Sequence, residues 1–277
     1  MSTLLYLKKI TRPEQCLTAA LATFVVALLS NGPLWFTAEK IAAPLVIALS
    51  VLGSSLWHYG ARHDVYAKKH WDVVHVTHPQ RLLIAGCVSF VLSVAVAFLF
   101  LPTACTLVAF INVFIIVFYA RRLDQYWPWK NLVIALVCTS PLIMGWFSGH
   151  HLHPIVLPMI IATFFIYLAR EILKDVQDRE ANHGLRFTMV IDLGVRPSLR
   201  IAGAMLLVAL FVLLLAWQYI PSTLVFASIT FWISAGVLIW NGITLIHAID
   251  IAPHYKRIDI ATLSFLVCML LIRSYIY

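Results

Sequence analysis

The chain has 277 residues, of which 62% are hydrophobic and only 12% charged, and its formal net charge is +8. Soluble domains are about half apolar and about a quarter charged, so a water-soluble globule is excluded and lipid is the expected outer solvent. The excess of positive charge lies in short loops between apolar runs, not along a groove, which excludes a nucleic-acid binder.

A membrane-crossing helix needs about 20 mostly apolar residues. Nine stretches meet this need, over 15–31, 41–58, 81–101, 103–120, 131–148, 153–170, 198–218, 221–247 and 259–276. Pro102 and Pro221 fall between neighbouring runs and predict tight helical hairpins. No run alternates with a period of two, so a barrel is not expected. The first run follows Lys8, Lys9 and Arg12 without a small-residue cleavage site and is expected to be retained as a span. The five cysteines, Cys16, Cys87, Cys105, Cys138 and Cys268, are far apart, show no metal-ligand spacing and read as small packing residues.

The loops give the orientation. Of the 20 Lys and Arg residues, 18 fall at the ends that share one side; only Lys40 and Arg273 lie opposite. Basic residues mark the cytoplasmic side, so the N terminus is expected in the cytoplasm, of a prokaryotic cell membrane in the simplest reading. Eleven of the 12 acids, all but Glu39, share that side. Acids contribute little to topology, so their clustering there implies a task for carboxylates.

Two cytoplasmic loops, 59–80 and 171–197, are long and carry spaced acids. In LAREILKDVQDREANHG, a helix continuing the sixth span places Glu171, Asp175, Asp178 and Asn182 on one face, with Arg170 and Lys174 alongside. Crowded carboxylates repel one another and a cation relieves them. Oxygen donors of this kind suit Mg2+, which shares its shell with substrate phosphates. In RHDVYAKKHWDVVHVTHPQR, Asp64, Lys68 and Asp72 recur every fourth residue, flanked by Arg62 and Lys69. Each loop by itself also fits a solvated, ion-paired juxtamembrane helix. Two such loops entering one bundle from one side fit a diphosphate held through metal.

Four stretches give the chain a resemblance to the UbiA superfamily of intramembrane prenyltransferases: YLKKITRPEQCLTAALATF, YARRLDQYWPWKNLVIALVCTSPLIMGW, LAREILKDVQDREANHG and FTMVIDLGVRPSLRIA. The resemblance implies an all-α integral membrane fold, with nine transmembrane helices in a UbiA-like bundle under cytoplasmic cap loops, spanning 1–277 as one domain. It implies Mg2+ held by Asp64, Asp72, Asp175 and Asp178, with Asn182 as a further ligand. It also implies a diphosphate cradle of Lys68, Lys69, Arg121, Arg122 and Lys174. The sequence departs from the family pattern in four places. Lys68 stands where the first motif has an acid, Asn182 where the second ends in one, Gln15 where the first helix carries Asn, and Asp124 where a Lys follows the fourth helix.

The activity so implied is Mg-assisted transfer of an isoprenyl group from an allylic diphosphate to a hydrophobic aromatic or lipid acceptor. Two alternatives stand beside it: transfer of a sugar phosphate to a polyprenyl phosphate, and non-catalytic isoprenoid binding through degenerate acidic motifs. His58, His63, His70, His75 and His78 crowd the first long loop without a metalloprotease pattern and read as interfacial or structural residues, with phosphate or metal contact as the alternative.

Overall fold

The computed structural model of the protein describes residues 8, 10–30, 37–61, 78–149, 152–183, 186–220, 223–246 and 252–276. Among these, nine long helices follow in chain order: α1 (Pro13–Ser30), α2 (Ala38–Ala61), α3 (Pro79–Phe100), α4 (Thr103–Phe118), α5 (Trp129–Phe147), α6 (Val156–Gln177), α7 (Val195–Ala216), α8 (Val225–Ile246) and α9 (Ala252–Ile276). The first eight are long and apolar enough to cross a membrane, and α9, at 25 residues, has the length of a ninth span. Among the described residues the one extended feature is an isolated bridge between Tyr126 and Phe187. The chain is a multi-pass, all-helical membrane protein, as its apolar runs predict. A lipid-facing segment must satisfy every backbone group internally, and helices do so.

Helix ends overrun the apolar runs. α6 continues to Gln177, seven residues past the expected 170, and α9 begins at Ala252, ahead of the expected 259. Polar residues at a membrane boundary still need their backbone groups paired, so the helix outlasts the apolar stretch. Pro102 caps the start of α4 in the expected tight turn; Pro221 lies outside the described residues.

The chain divides into two units, 1–124 with 140–150, and 125–139 with 151–277. In the first, α2 and α3 pack through glycines. A Cβ at Gly86 would stand 3.0 Å from the Trp57 backbone nitrogen, and one at Gly53 would meet the Phe90 ring at 2.7 Å. Lipid supplies no hydrophobic drive between helices, so close backbone approach and interhelical hydrogen bonds hold them. The hydroxyls of Ser50 and Ser93 lie 2.7 Å apart, and Ser93 Oγ donates to the Val46 carbonyl at 2.9 Å. In the second unit, α7 and α8 meet at Gly203 and Gly242, and Ser234 Oγ donates to Ala261 O of α9 at 3.1 Å. Phe98, Phe110, Phe114, Phe211, Phe226 and Trp240 point outward, as expected of residues solvated by lipid.

Candidate functional site

The second unit gathers polar groups at the C-terminal end of α6. Glu171 and Asp175 are 4% and 1% exposed, and Asn182, beyond the helix, is 1% exposed. Ionisable groups buried in a membrane-spanning helix are costly and mark functional sites by default. The expected face of Glu171, Asp175 and Asn182 is thus buried, with Asp178 half-buried.

One expectation is corrected. The stretch is not one continuous helix, because α6 stops at Gln177 and Asp178 caps it, donating its N–H to Lys174 O at 2.9 Å. A single helical turn, Arg179–Asn182, then rewinds, and the Asn182 N–H donates to Asp178 O at 2.8 Å. Gln177, Arg179 and Glu180 are exposed, so no apolar face remains to carry a straight helix further.

The Lys130 ammonium donates to Asp175 Oδ1, and both side chains are almost fully buried. Lys130 counts in the sequence only as one of the loop cations that set topology, so its burial is a further correction. Local backbone structure puts it there. The Phe187 N–H donates to Gln125 O at 2.8 Å, and the Trp127 N–H donates to Phe187 O at 3.1 Å. This bridge ties the connection before α5 to the segment after the acidic motif. The Lys130 N–H donates to Tyr126 O at 3.0 Å, so α5 winds directly out of the bridge. No sequence signal identifies the pairing, since spacing rules relate residues within one element.

The remaining groups on α6 form a short electrostatic chain. Lys174 Nζ lies 3.7 Å from Glu171 Oε2, and Arg170 Nη2 lies 3.7 Å from Asp259 Oδ1 of α9. Arg170 also stands over the Tyr167 ring at 5.8 Å.

In the first unit α4 ends in a wide π turn, Tyr119–Leu123, closed by the Asp124 N–H donating to Tyr119 O at 3.1 Å. The turn exposes Arg121 and Arg122 and buries Asp124. Arg121 lies over the Trp57 ring at 5.7 Å, and His58 stacks on Tyr119 at 5.8 Å, a packing role. Single π turns of this kind recur at functional sites. Of the other expected site residues, Asp64, Lys68, Lys69 and Asp72 lie outside the described residues. Just before α6, burial lowers the His153 pKa, and its Nδ1 accepts from the Ile155 N–H at 3.4 Å.

Among the described residues, no three His, Cys, Asp or Glu side chains come together to hold a metal. A Mg2+ ion needs only one or two carboxylates when substrate phosphates complete its shell. Asp175 Oδ2 fits that need: it is buried and has no hydrogen-bond partner among the described residues.

The model of the UbiA prenyltransferase family matches residues 73–269. The digeranylgeranylglyceryl phosphate synthase of Methanoregula boonei is 30% identical over 210 residues, 70% of this chain and 71% of that protein. The enzyme of the same name from Methanoculleus marisnigri is 28% identical over 204 residues, 69% of each. Among solved structures, a digeranylgeranylglyceryl phosphate synthase superposes with a TM-score of 0.79 at 16% identity, covering 98% of both chains. A UbiA homologue from Archaeoglobus fulgidus bound to DMAPP and Mg2+ superposes with a TM-score of 0.74 at 15% identity, covering 97% of this chain and 99% of that one. These structural likenesses show a shared fold, and the sequence matches show descent: the chain belongs to the UbiA prenyltransferase family and is a multi-pass membrane prenyltransferase.

Proposed function

We propose that this prenyltransferase uses Mg2+ to move an isoprenyl group from an allylic diphosphate onto a hydroxyl of a lipid acceptor. The observation that carries the reading is the buried Asp175, with one oxygen held by Lys130 and the other without a partner among the described residues. The relatives named digeranylgeranylglyceryl phosphate synthase support a glyceryl phosphate lipid as acceptor and a geranylgeranyl group as the unit transferred. The A. fulgidus homologue bound to DMAPP and Mg2+ supports the donor class and the metal.

Asp175 and Asp178, with Asn182, are the oxygen donors of the second motif; Asp64 and Asp72 of the first motif hold the same role in this reading. When bound, Mg2+ neutralises the diphosphate and makes it a better leaving group. Lys174, Arg121, Arg122, Lys68 and Lys69 add positive charge for the phosphate oxygens. Charge grows on the diphosphate as the bond between C1 and oxygen lengthens, and cations fixed beforehand stabilise it most at that moment. The bonding electron pair leaves with the diphosphate, while an acceptor hydroxyl oxygen closes on C1 and gives up its proton to the departing diphosphate. The apolar bundle keeps water from intercepting the allylic cation.

In this reading the chain 1–277 is a single functional domain whose N terminus and acidic motifs face the cytoplasm. The test is purified protein with Mg2+, radiolabelled allylic diphosphates of graded length, and either a glyceryl phosphate lipid or an aromatic acceptor. Label in the lipid product is expected. Transfer to the aromatic acceptor alone, or turnover only with a phosphoribosyl donor, would overturn the acceptor assignment.

A further inference from the structure

A lysine in the first turn of a membrane helix loses its hydration when packed, and an ammonium in that position needs an anionic partner. Lys130 is 3% exposed and has such a partner in Asp175 Oδ1, from a segment 45 residues away. The partner belongs to the motif whose carboxylates, by the reading above, receive the metal. Next to Lys130 in the chain, Asn131 is 1% exposed, and neither its Oδ1 nor its Nδ2 has a partner among the described residues. Lys130 and Asn131, in the first turn of α5, therefore bring one cation and one unsatisfied amide into the interior of the unit that holds Asp175.

We propose that Lys130 is a resident counter-ion of the second acidic motif, occupying through Asp175 Oδ1 a place that a divalent cation would otherwise take. The inference rests on the prenyl-transfer reading for the identity of the metal. Two consequences follow from electrostatics. An ammonium already in contact with Asp175 neutralises that carboxylate and repels a second cation at short range. The motif without donor accordingly attracts Mg2+ weakly, and the metal enters with the diphosphate, whose oxygens supply the missing ligands.

The experiment measures metal binding without substrate. Full-length protein in detergent is titrated with Mn2+ alone, and free Mn2+ is read by electron paramagnetic resonance. Lys130→Met is expected to bind the ion about tenfold more tightly than wild type, because the carboxylate is released and the repulsion removed. Lys130→Arg keeps the charge and is expected to match wild type. Asp175→Asn, which leaves the Lys130 ammonium without its carboxylate, is expected to bind Mn2+ about tenfold more weakly than wild type. Unchanged or weaker binding in Lys130→Met, or binding in Asp175→Asn as tight as in wild type, overturns the proposal. Should Lys130→Met fail to fold, Lys130→Gln, whose amide still donates to Asp175 but carries no charge, is read in its place with the same expectation. Prenyl transfer by wild-type protein, assayed separately, tests the functional reading independently of these affinities.

Discussion

The backbone N–H of Trp127 donates to the carbonyl oxygen of Phe187 at 3.1 Å, across a parallel bridge that joins the start of α5 to the segment following the second acidic motif. This contact fixes where α5 begins, and so where Lys130 stands relative to Asp175. Phe187→Pro removes the N–H that donates to Gln125 O. One hydrogen bond is worth about 1 kcal/mol, and a loss of that size in positioning corresponds to about fivefold in affinity. The expected result is a rise of about fivefold in the KM for donor, with kcat little changed, in steady-state kinetics.

Removing either partner of a buried ion pair strands the other charge. Asp175→Ala leaves the Lys130 ammonium, 3% exposed, without its carboxylate. A loss of about 3–5 kcal/mol is expected, seen as a lowered thermal midpoint in detergent together with loss of turnover. Asp178→Ala, at the half-buried end of α6, should keep a thermal midpoint near wild type and lose turnover.

The glycine contact between α7 and α8 predicts a position-dependent effect of one methyl group. A Cβ at Gly203 would come within 2.7 Å of the Gly242 carbonyl oxygen, which as backbone cannot step aside. Gly203→Ala should destabilise by about 1–3 kcal/mol. At Gly236 a Cβ meets nothing within 4 Å, so Gly236→Ala should be neutral or stabilise by up to about 1 kcal/mol through helix propensity. Equal effects at the two sites in thermal unfolding would contradict the packing described.

Orientation is testable with reporter fusions. The 18-to-2 division of basic residues predicts that fusions near 102, 150 and 219 report an external location. Cytoplasmic readings at all three would reverse the topology.

The sequence carried the helices because the physics that selects them is local. A run such as that within Pro79–Phe100 has nowhere to sit except lipid, and only helix satisfies its backbone there. Helix ends were less legible. Glu171 and Asp175 end the apolar run on paper yet continue α6, since their side chains turn inward. The second acidic motif could be found because its members lie within one segment, although the cap at Asp178 could not. Lys130 was invisible as a site residue. Its role depends on a bridge between Tyr126 and Phe187, 61 positions apart in the chain, and neither residue announces that bridge through spacing, charge or hydropathy.

The π turn at Tyr119–Leu123 holds one residue more than an α turn in the same place. That surplus makes it a site where chain length can change without cost to the helix before it. Deleting one of its five residues lets the turn close to ordinary pitch and leaves Thr103–Phe118 in its original orientation toward lipid. A deletion inside Thr103–Phe118 would instead rotate every later residue of the helix by about 100°, turning Phe110 or Phe114 from the bilayer toward the protein. Length variation among natural relatives should therefore concentrate at this turn, and Arg121 and Arg122 sit at the point where such a change would re-aim them.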